Sequence, residues 1–570
     1  MSSKNVIVAA AVLIAAGMIA VIVHNSRKDA SMLLVNGVVY TLDQRHPQAS
    51  AVAIRGDRIA AIGTTDELQS AYHADTIIDL KGKAVYPGFI DSHAHLEALG
   101  AALMNLDLSG SVSEEDAAAR VRSAMRDTVH GGWIRGRGWD QNRWPRRAFP
   151  TKESLDRVCP DIPVYLRRVD GHAAWVNSKA LSLAGIDAQT PDPDGGKIIR
   201  DAHGRPSGVF IDRAVEALES VLPPPSELER SEAIRRAVAE CIACGLTEVH
   251  DMGVDSAGIA IYQRMINAGQ FPFRVYAAVQ GSLPDAWAYY RSRGPLTTGY
   301  GGRLVVRALK LYADGALGSR GAALLEPYAD DPENRGLTLT SRAELLTAAR
   351  EALASGFQLC THAIGDRANA IVLDVYQEAL GASPKEAADA RFRIEHAQVL
   401  SPGDIIRFKK LGVIPVMQAS HCTSDMPWAE SRLGPKRIKG AYAWRSLRDQ
   451  GCVIPGWSDF PVESPNPLWG FYAAITRQDK DGNPPGGWYP EQCLTRQEAL
   501  LSYTMWAAQA GFQEKEKGSL EVGKWADLVV LSRDIMTIDP REILTTRVAM
   551  TIIAGTVVYA APDQPGVAAR

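Results

Sequence analysis

The sequence predicts an α/β protein in which a (β/α) barrel is inserted between two halves of a small β domain, with an apolar helix ahead of them. Three observations carry this. Strand-like and helix-like patterns alternate through the centre of the 570 residues, short strand and turn signals gather near both ends, and residues 6–23 hold no charge.

The apolar run is the first element. As a helix, residues 6–23 span about 27 Å, close to the hydrocarbon core of a bilayer. No small-x-small site follows, and His24-Asn25-Ser26-Arg27-Lys28 comes next, which predicts an uncleaved transmembrane helix rather than a signal peptide. Lys4 and the amino terminus oppose Arg27 and Lys28, so the flanks set no orientation. A membrane-anchored protein on the periplasmic or extracytoplasmic side is the expectation.

From Met32 to Val85 short strands follow one another. Leu33 to Tyr40 reads strand, Asn-Gly turn, strand, and Ala51 to Gly63 reads as a second hairpin. A matching set lies at Gly523 to Leu531 and Val548 to Val558. Neither set has much core of its own, so the two are expected to pair. The resulting division is 1–30 anchor, 31–86 first half of the β domain, 87–517 barrel, and 518–570 second half.

In the centre, strand candidates are Val164–Val169, Leu246–His250, Phe273–Ala277, Val305–Lys310, Phe357–His362, Phe392–His396, Val413–Met417 and Val453–Trp457. Helical patterns lie between them, including Glu229 to Cys244, Arg342 to Ser355 and Ala368 to Leu380. This alternation favours a barrel. Neither a GxGxxG after a first strand nor a P-loop occurs, which removes the common nucleotide-binding readings.

Composition narrows the function. The chain is 46% hydrophobic and 22% charged, an ordinary globular balance, and Lys plus Arg is 62 against 65 for Asp plus Glu. A net charge of -3 leaves no basic footprint for nucleic acid. The 7 Cys are scattered, and Cys241 and Cys244 have no second CxxC to complete a structural zinc site. A homo-oligomer is compatible with all of this.

The chemistry begins at Pro87-Gly88-Phe89-Ile90-Asp91-Ser92-His93-Ala94-His95. Alternate residues of a strand share a face, so His93 and His95 point the same way, about 7 Å apart at their backbones. That suits two ligands of one metal. Further along, Lys310, His362 and His396 each end a β run, and Asp459 follows Pro455-Gly456-Trp457-Ser458. Singly, each has an ordinary explanation as a strand cap, a solvent-reaching lysine or a turn residue. Jointly they form a ring, because the carboxyl-terminal strand ends of a barrel surround one mouth.

These stretches resemble the amidohydrolase superfamily, in the metal-dependent branch that contains N-substituted formamide deformylase. The matching segments are Pro87 to Leu96, Leu309 to Gly321, Thr361 to Ala368, Arg393 to Gln398, Ser458 to Val462 and Gly518 to Leu531. The resemblance implies a (β/α)8 TIM-like barrel inserted in a small β-sandwich. It implies that His93, His95 and Asp459 hold one metal, that His362 and His396 hold a second, and that a carboxylated Lys310 bridges them. Zn2+ is the expected divalent metal, as one or two ions. The implied reaction is cleavage of a non-peptide amide-type C–N bond, such as that of an N-acyl or N-formyl amine, by metal-activated hydroxide with Asp459 as proton shuttle. His172 is a candidate for orienting the substrate carbonyl or leaving group, and Trp139, Asp140, Arg320 and His421 are candidates for binding the small-molecule substrate. Cyclic amide or ester hydrolysis on the same site, or ligand binding without catalysis, are the alternatives.

Overall fold

The computed structural model describes residues 27–125, 132–141, 144–168, 173–193, 196–212, 214–318, 320–381, 389–456 and 458–562. They divide into two compact units, Glu97–Ala237 and the remainder.

In the larger unit a seven-stranded parallel sheet follows chain order: β1 (Phe89–Ala94), β2 (Leu246–Val254), β3 (Arg274–Gln280), β4 (Leu304–Tyr312), β5 (Gln358–Ala363), β6 (Arg393–His396) and β7 (Ile414–Val416). Strands that succeed one another in space as in sequence, with helices such as Ser256–Asn267 and Asp366–Leu380 between them, curl toward closure. Both faces of these strands are buried, as expected of parallel strands covered on both sides.

The eighth position is irregular. Val453–Trp457, expected as a strand, contributes one bridge, Met417 to Gly456, and one further bond from Ser92 N to Gly456 O at 3.2 Å. Pro455 has no amide hydrogen to give a ladder, so the sheet is nearly closed rather than uniformly paired. Trp457 itself lies outside the described residues.

Strands from both ends of the sequence meet in one sheet, ordered Thr556–Ala560, Val548–Ile553, Leu528–Leu531, Ala84–Pro87, Val38–Tyr40, Gln48–Ala49. Ala84–Pro87 pairs antiparallel with Leu528–Leu531 and leads directly into β1. A four-stranded sheet, ordered Arg58–Gly63, Ala51–Arg55, Lys28–Val35, Tyr72–Asp79, shares a core with it. Leu34, Val52 and Ile54 from one sheet pack in the same cluster as Val85, Leu528, Val530 and Ile552 from the other. The buried Arg274 of β3 grips Asp527, Nε to Oδ2 at 2.6 Å and Nη2 to Oδ1 at 2.9 Å, which ties barrel to sheet.

The smaller unit, Glu97–Ala237, has its own six-stranded sheet and its own core around Trp139, Trp144 and Trp175. The stretch Val164–Val169, counted above among the strands of the alternating centre, contributes Val164–Arg168 to that sheet.

One part of the expected fold class is corrected. The transmembrane helix expected over residues 6–23 lies outside the described residues. Among the described residues no helix is long and apolar enough to cross a membrane. The longest, Ala419–Arg437, carries Asp425, Glu430, Arg432, Lys436 and Arg437, charges a bilayer core disfavours. The described part is therefore an α/β barrel protein in which no helix is long and apolar enough to cross a membrane, and the expected membrane attachment and extracytoplasmic placement find no support in it.

Because the end strands share a core, truncating one side chain there should weaken the whole larger unit. Leu528→Ala, at a fully buried position, is expected to cost about 2–5 kcal/mol in chemical denaturation. A loss well under 1 kcal/mol would contradict a shared core.

Candidate metal centre

The mouth is assembled from backbone outward. On β1, Asp91 and His93 face the same way, with His95 just beyond the strand. The Asp91 carboxylate accepts from His93 N at 3.1 Å, Ser458 N at 3.1 Å and Ser458 Oγ at 2.6 Å. Burial pushes its pKa up to about 7, and those donors resist. It thereby clamps β1 to the segment carrying Asp459. Two main-chain bonds complete the lacing, Asp459 N to His93 O and His95 N to Phe460 O, each 3.0 Å.

Two members of the ring have left-handed backbones: His396 at φ 73° and Asp459 at φ 59°. For non-glycine residues such conformations cost on the order of 1–3 kcal/mol and persist only where surroundings enforce them. Both fall where a strand must break to aim a side chain into the mouth.

The side chains converge. Asp459 Oδ1 lies 3.2 Å from His95 Nε2 and 3.7 Å from His93 Nε2, without an aligned hydrogen bond. The metal-binding atoms of His93, His95 and Asp459 all lie within 4.8 Å of one another, and so do those of His396, His421 and Asp459. Lys310 Nζ, from β4, is 3.1 Å from His93 Nε2. The His362 ring, from β5, is 4.3 Å from that of His396, centroid to centroid, and its buried Nε2 has no hydrogen-bond partner. The structure thus brings His93, His95, Lys310, His362, His396, Asp459 and His421 together.

Their charge states suit metal binding. Burial, with Lys310 nearby, drives His93 far below its ordinary pKa and His362 to about 3. Burial and neighbouring imidazoles do the same to His396. These rings are neutral, the form that ligates. Burial would raise Asp459, but the His95 contact and the electrostatic influence of the nearby imidazoles outweigh it and lower the carboxyl to about 2. Burial lowers Lys310 to about 8 against the pull of Glu395 and Asp459.

Several contributors were not singled out from the sequence. Glu395 accepts from His93 Nδ1 at 2.6 Å. Gln418 Oε1 lies 3.1 Å from His396 Nδ1, and its Nε2 donates to Asp459 Oδ2 at 3.4 Å and faces His421 Nε2 at 3.3 Å. Asp314 accepts from Ile364 N, Gly365 N and Ala323 N, holding the loops beside His362. For Glu395 the available signal was a charged side chain within a strand buried on both faces, since such a group needs a partner.

Other expected site residues have different surroundings. Trp139 is fully buried in the core of the smaller unit, its Nε1 donating to Leu166 O. Asp140 pairs with Arg168 at 2.8 Å in the same unit. Arg320 is engaged by Asp330 through two bonds of 3.2 and 3.0 Å. His172 lies outside the described residues.

A divalent metal fits this arrangement. His93 Nδ1 is committed to a carboxylate, which leaves its Nε2 lone pair turned toward Lys310 Nζ and Asp459 Oδ1. Asp459 Oδ1 and His362 Nε2 are buried without a hydrogen-bond partner, and such donor atoms suit a cation.

The sequence model of the Amidohydrolase family matches residues 76–559. The chain belongs to the amidohydrolase family. It is a metal-dependent hydrolase acting on C–N bonds, as the family assignment and the site agree. A model for an imidazolonepropionase-like composite domain of bacteria also matches residues 51–74. Among relatives, YtcJ of Bacillus subtilis (strain 168) is 34% identical over 530 residues, 92% of this chain and 98% of that one. N-substituted formamide deformylase of Arthrobacter pascens is 30% identical over 547 residues, 93% and 98%. The crystal structure of an uncharacterized metal-dependent hydrolase from Pyrococcus furiosus superposes with a TM-score of 0.74 at 30% identity, covering 89% of this amidohydrolase and 100% of that chain.

If His93 and His95 are ligands, His93→Ala and His95→Ala should each lower metal affinity at least about tenfold. Elemental analysis after dialysis against a weak chelator checks this; unchanged metal content in both would remove the pair from the centre.

Proposed function

We propose that this amidohydrolase cleaves the amide-type C–N bond of a small N-acyl or N-formyl amine, using one or two divalent ions. The observation that carries the reading is the convergence of His93, His95 and Asp459 within 4.8 Å beside Lys310, His362 and His396. The similarity to N-substituted formamide deformylase supports the substrate class. Imidazole nitrogens combined with carboxylate oxygens suit zinc first, with manganese, iron and nickel as alternatives.

His93, His95 and Asp459 would hold one ion, and His362 and His396 the other. Lys310 would bridge after its amine has taken up carbon dioxide as a carbamate. Only an uncharged amine can do so, and burial gives Lys310 a share of that form near neutral pH. When bound, the metal supplies Lewis acidity, lowering the pKa of a water toward 7 and polarising the substrate carbonyl.

Asp459 then has a defined task. Oδ2 is held by Gln418, and Oδ1 faces the imidazole pair. A carboxyl held at about 2 is a weak base, matched only to an acidified water. Oδ1 accepts the proton of the attacking water and returns it to the leaving nitrogen as the C–N bond breaks. Product amine and carboxylic acid balance the added water.

Asp459→Asn keeps the shape and removes the proton acceptor. Turnover of N-formyl and N-acyl amines should fall by about 10²–10⁴-fold, with KM changed far less. Metal content measured on the same sample separates lost chemistry from a lost ion. Near-normal kcat would refute the role of Asp459, and no turnover of any amide by the metal-loaded wild-type chain would refute the substrate class.

A further inference from the structure

Arg393 and Glu395 take no part in the chemistry above, yet both are fully buried inside the barrel. They lie two residues apart on β6 and so share its inward face. Arg393 Nε is 2.7 Å from Glu395 Oε1, and Nη2 donates to Glu395 Oε2 at 3.0 Å. The same Nη2 donates to the carbonyl of Ser92 at 2.6 Å, and Nη1 lies 2.9 Å from His250 Nδ1. Glu395 Oε2 in turn receives His93 Nδ1 at 2.6 Å.

Stability gives no reason for this arrangement. Desolvating a guanidinium and a carboxylate is costly, and an apolar pair of similar volume often serves as well or better. Geometry does give a reason. A carboxylate paired to arginine accepts and cannot donate, so the proton of the neutral His93 ring sits on Nδ1 and the lone pair on Nε2. Arg393 meets that carboxylate at both oxygens, by a hydrogen bond to Oε2 and an ion-pair contact with Oε1. It also holds the main chain of the residue just before His93. One guanidinium therefore grips the histidine from two sides, through its backbone and through its ring.

We propose that Arg393 and Glu395 are positioning residues that set the tautomer and aim of His93 toward the metal. Neither touches substrate or ion. This rests on the metal reading given under Proposed function.

The test uses the full-length chain, stripped of metal and reloaded with Co2+. Affinity is read by chelator competition, and coordination by the visible absorption of the bound ion. Glu395→Gln keeps the volume but removes the charge and can present an N–H to His93. Its Co2+ dissociation constant should rise about 10–100-fold with altered absorption bands. The melting temperature of the metal-free protein should stay close to wild type while the increase on adding Co2+ shrinks, which a purely structural role would not produce. Arg393→Lys retains the charge but cannot span both carboxylate oxygens and the Ser92 carbonyl. It should shift affinity in the same direction, and it carries the test if the Gln variant does not fold. Wild-type affinity and spectrum in both variants would overturn the proposal and leave the metal reading intact. A wild-type chain that binds no Co2+ would overturn the metal reading and the proposal with it.

Discussion

The mouth of this barrel is governed by one electrostatic constraint. Asp459 Oδ1 and the imidazoles of His93 and His95 are held at 3.2–3.7 Å, with Lys310 Nζ 3.1 Å from His93 Nε2, so that a carboxylate and several nitrogen donors crowd one buried point. Much of the surrounding structure serves to maintain that approach. Asp91 ties the two segments together, main-chain bonds lace them, and the left-handed turns at His396 and Asp459 direct side chains inward. In water such groups would drift apart or recruit ions at random. Inside the barrel they have nowhere to go, and donor atoms crowded in this way suit a cation.

A second feature is the division of labour between the two ends of the barrel interior. Around the mouth, His362 Nε2 and Asp459 Oδ1 are buried without a hydrogen-bond partner. Deeper down, charged side chains are paired at close range: Arg274 with Asp527, Lys517 with Glu248, Arg393 with Glu395. Those pairs add little net stability for their burial. They do fix rotamers, and His93 inherits its orientation from the last of them.

The side chains that meet at the mouth were legible in sequence because each follows a β run, where the alternation of strand side chains makes an outlier visible. His93, His95, Lys310, His362, His396 and Asp459 were found in that way, and the structure gathers them. Glu395 and Asp91 were not, although each is a neighbour of a named histidine. A carboxylate inside a motif reads as part of the motif until its partner is known, and the partners are far away in sequence: Glu395 reaches His93, and Asp91 reaches Ser458. The left-handed φ angles leave no sequence signal at a histidine or an aspartate. The alternation that revealed the barrel also hid the smaller unit, since Val164–Arg168 looks like any other strand of the series. Apolarity alone predicted a membrane helix over 6–23, which lies outside the described residues; the described helices all fall short of that requirement.

The pairing of Ala84–Pro87 with Leu528–Leu531 has a kinetic corollary. The strand that runs straight into His93 is made early by the ribosome, yet its sheet partner emerges only after the whole barrel has been synthesised. Closing so long a loop is entropically slow, and contacts of this separation delay folding more than they limit final stability. Assembly of the mouth is thus a late, post-translational event, and a nascent chain stalled before Leu528 would carry all the side chains of the mouth without the seam beside the first two.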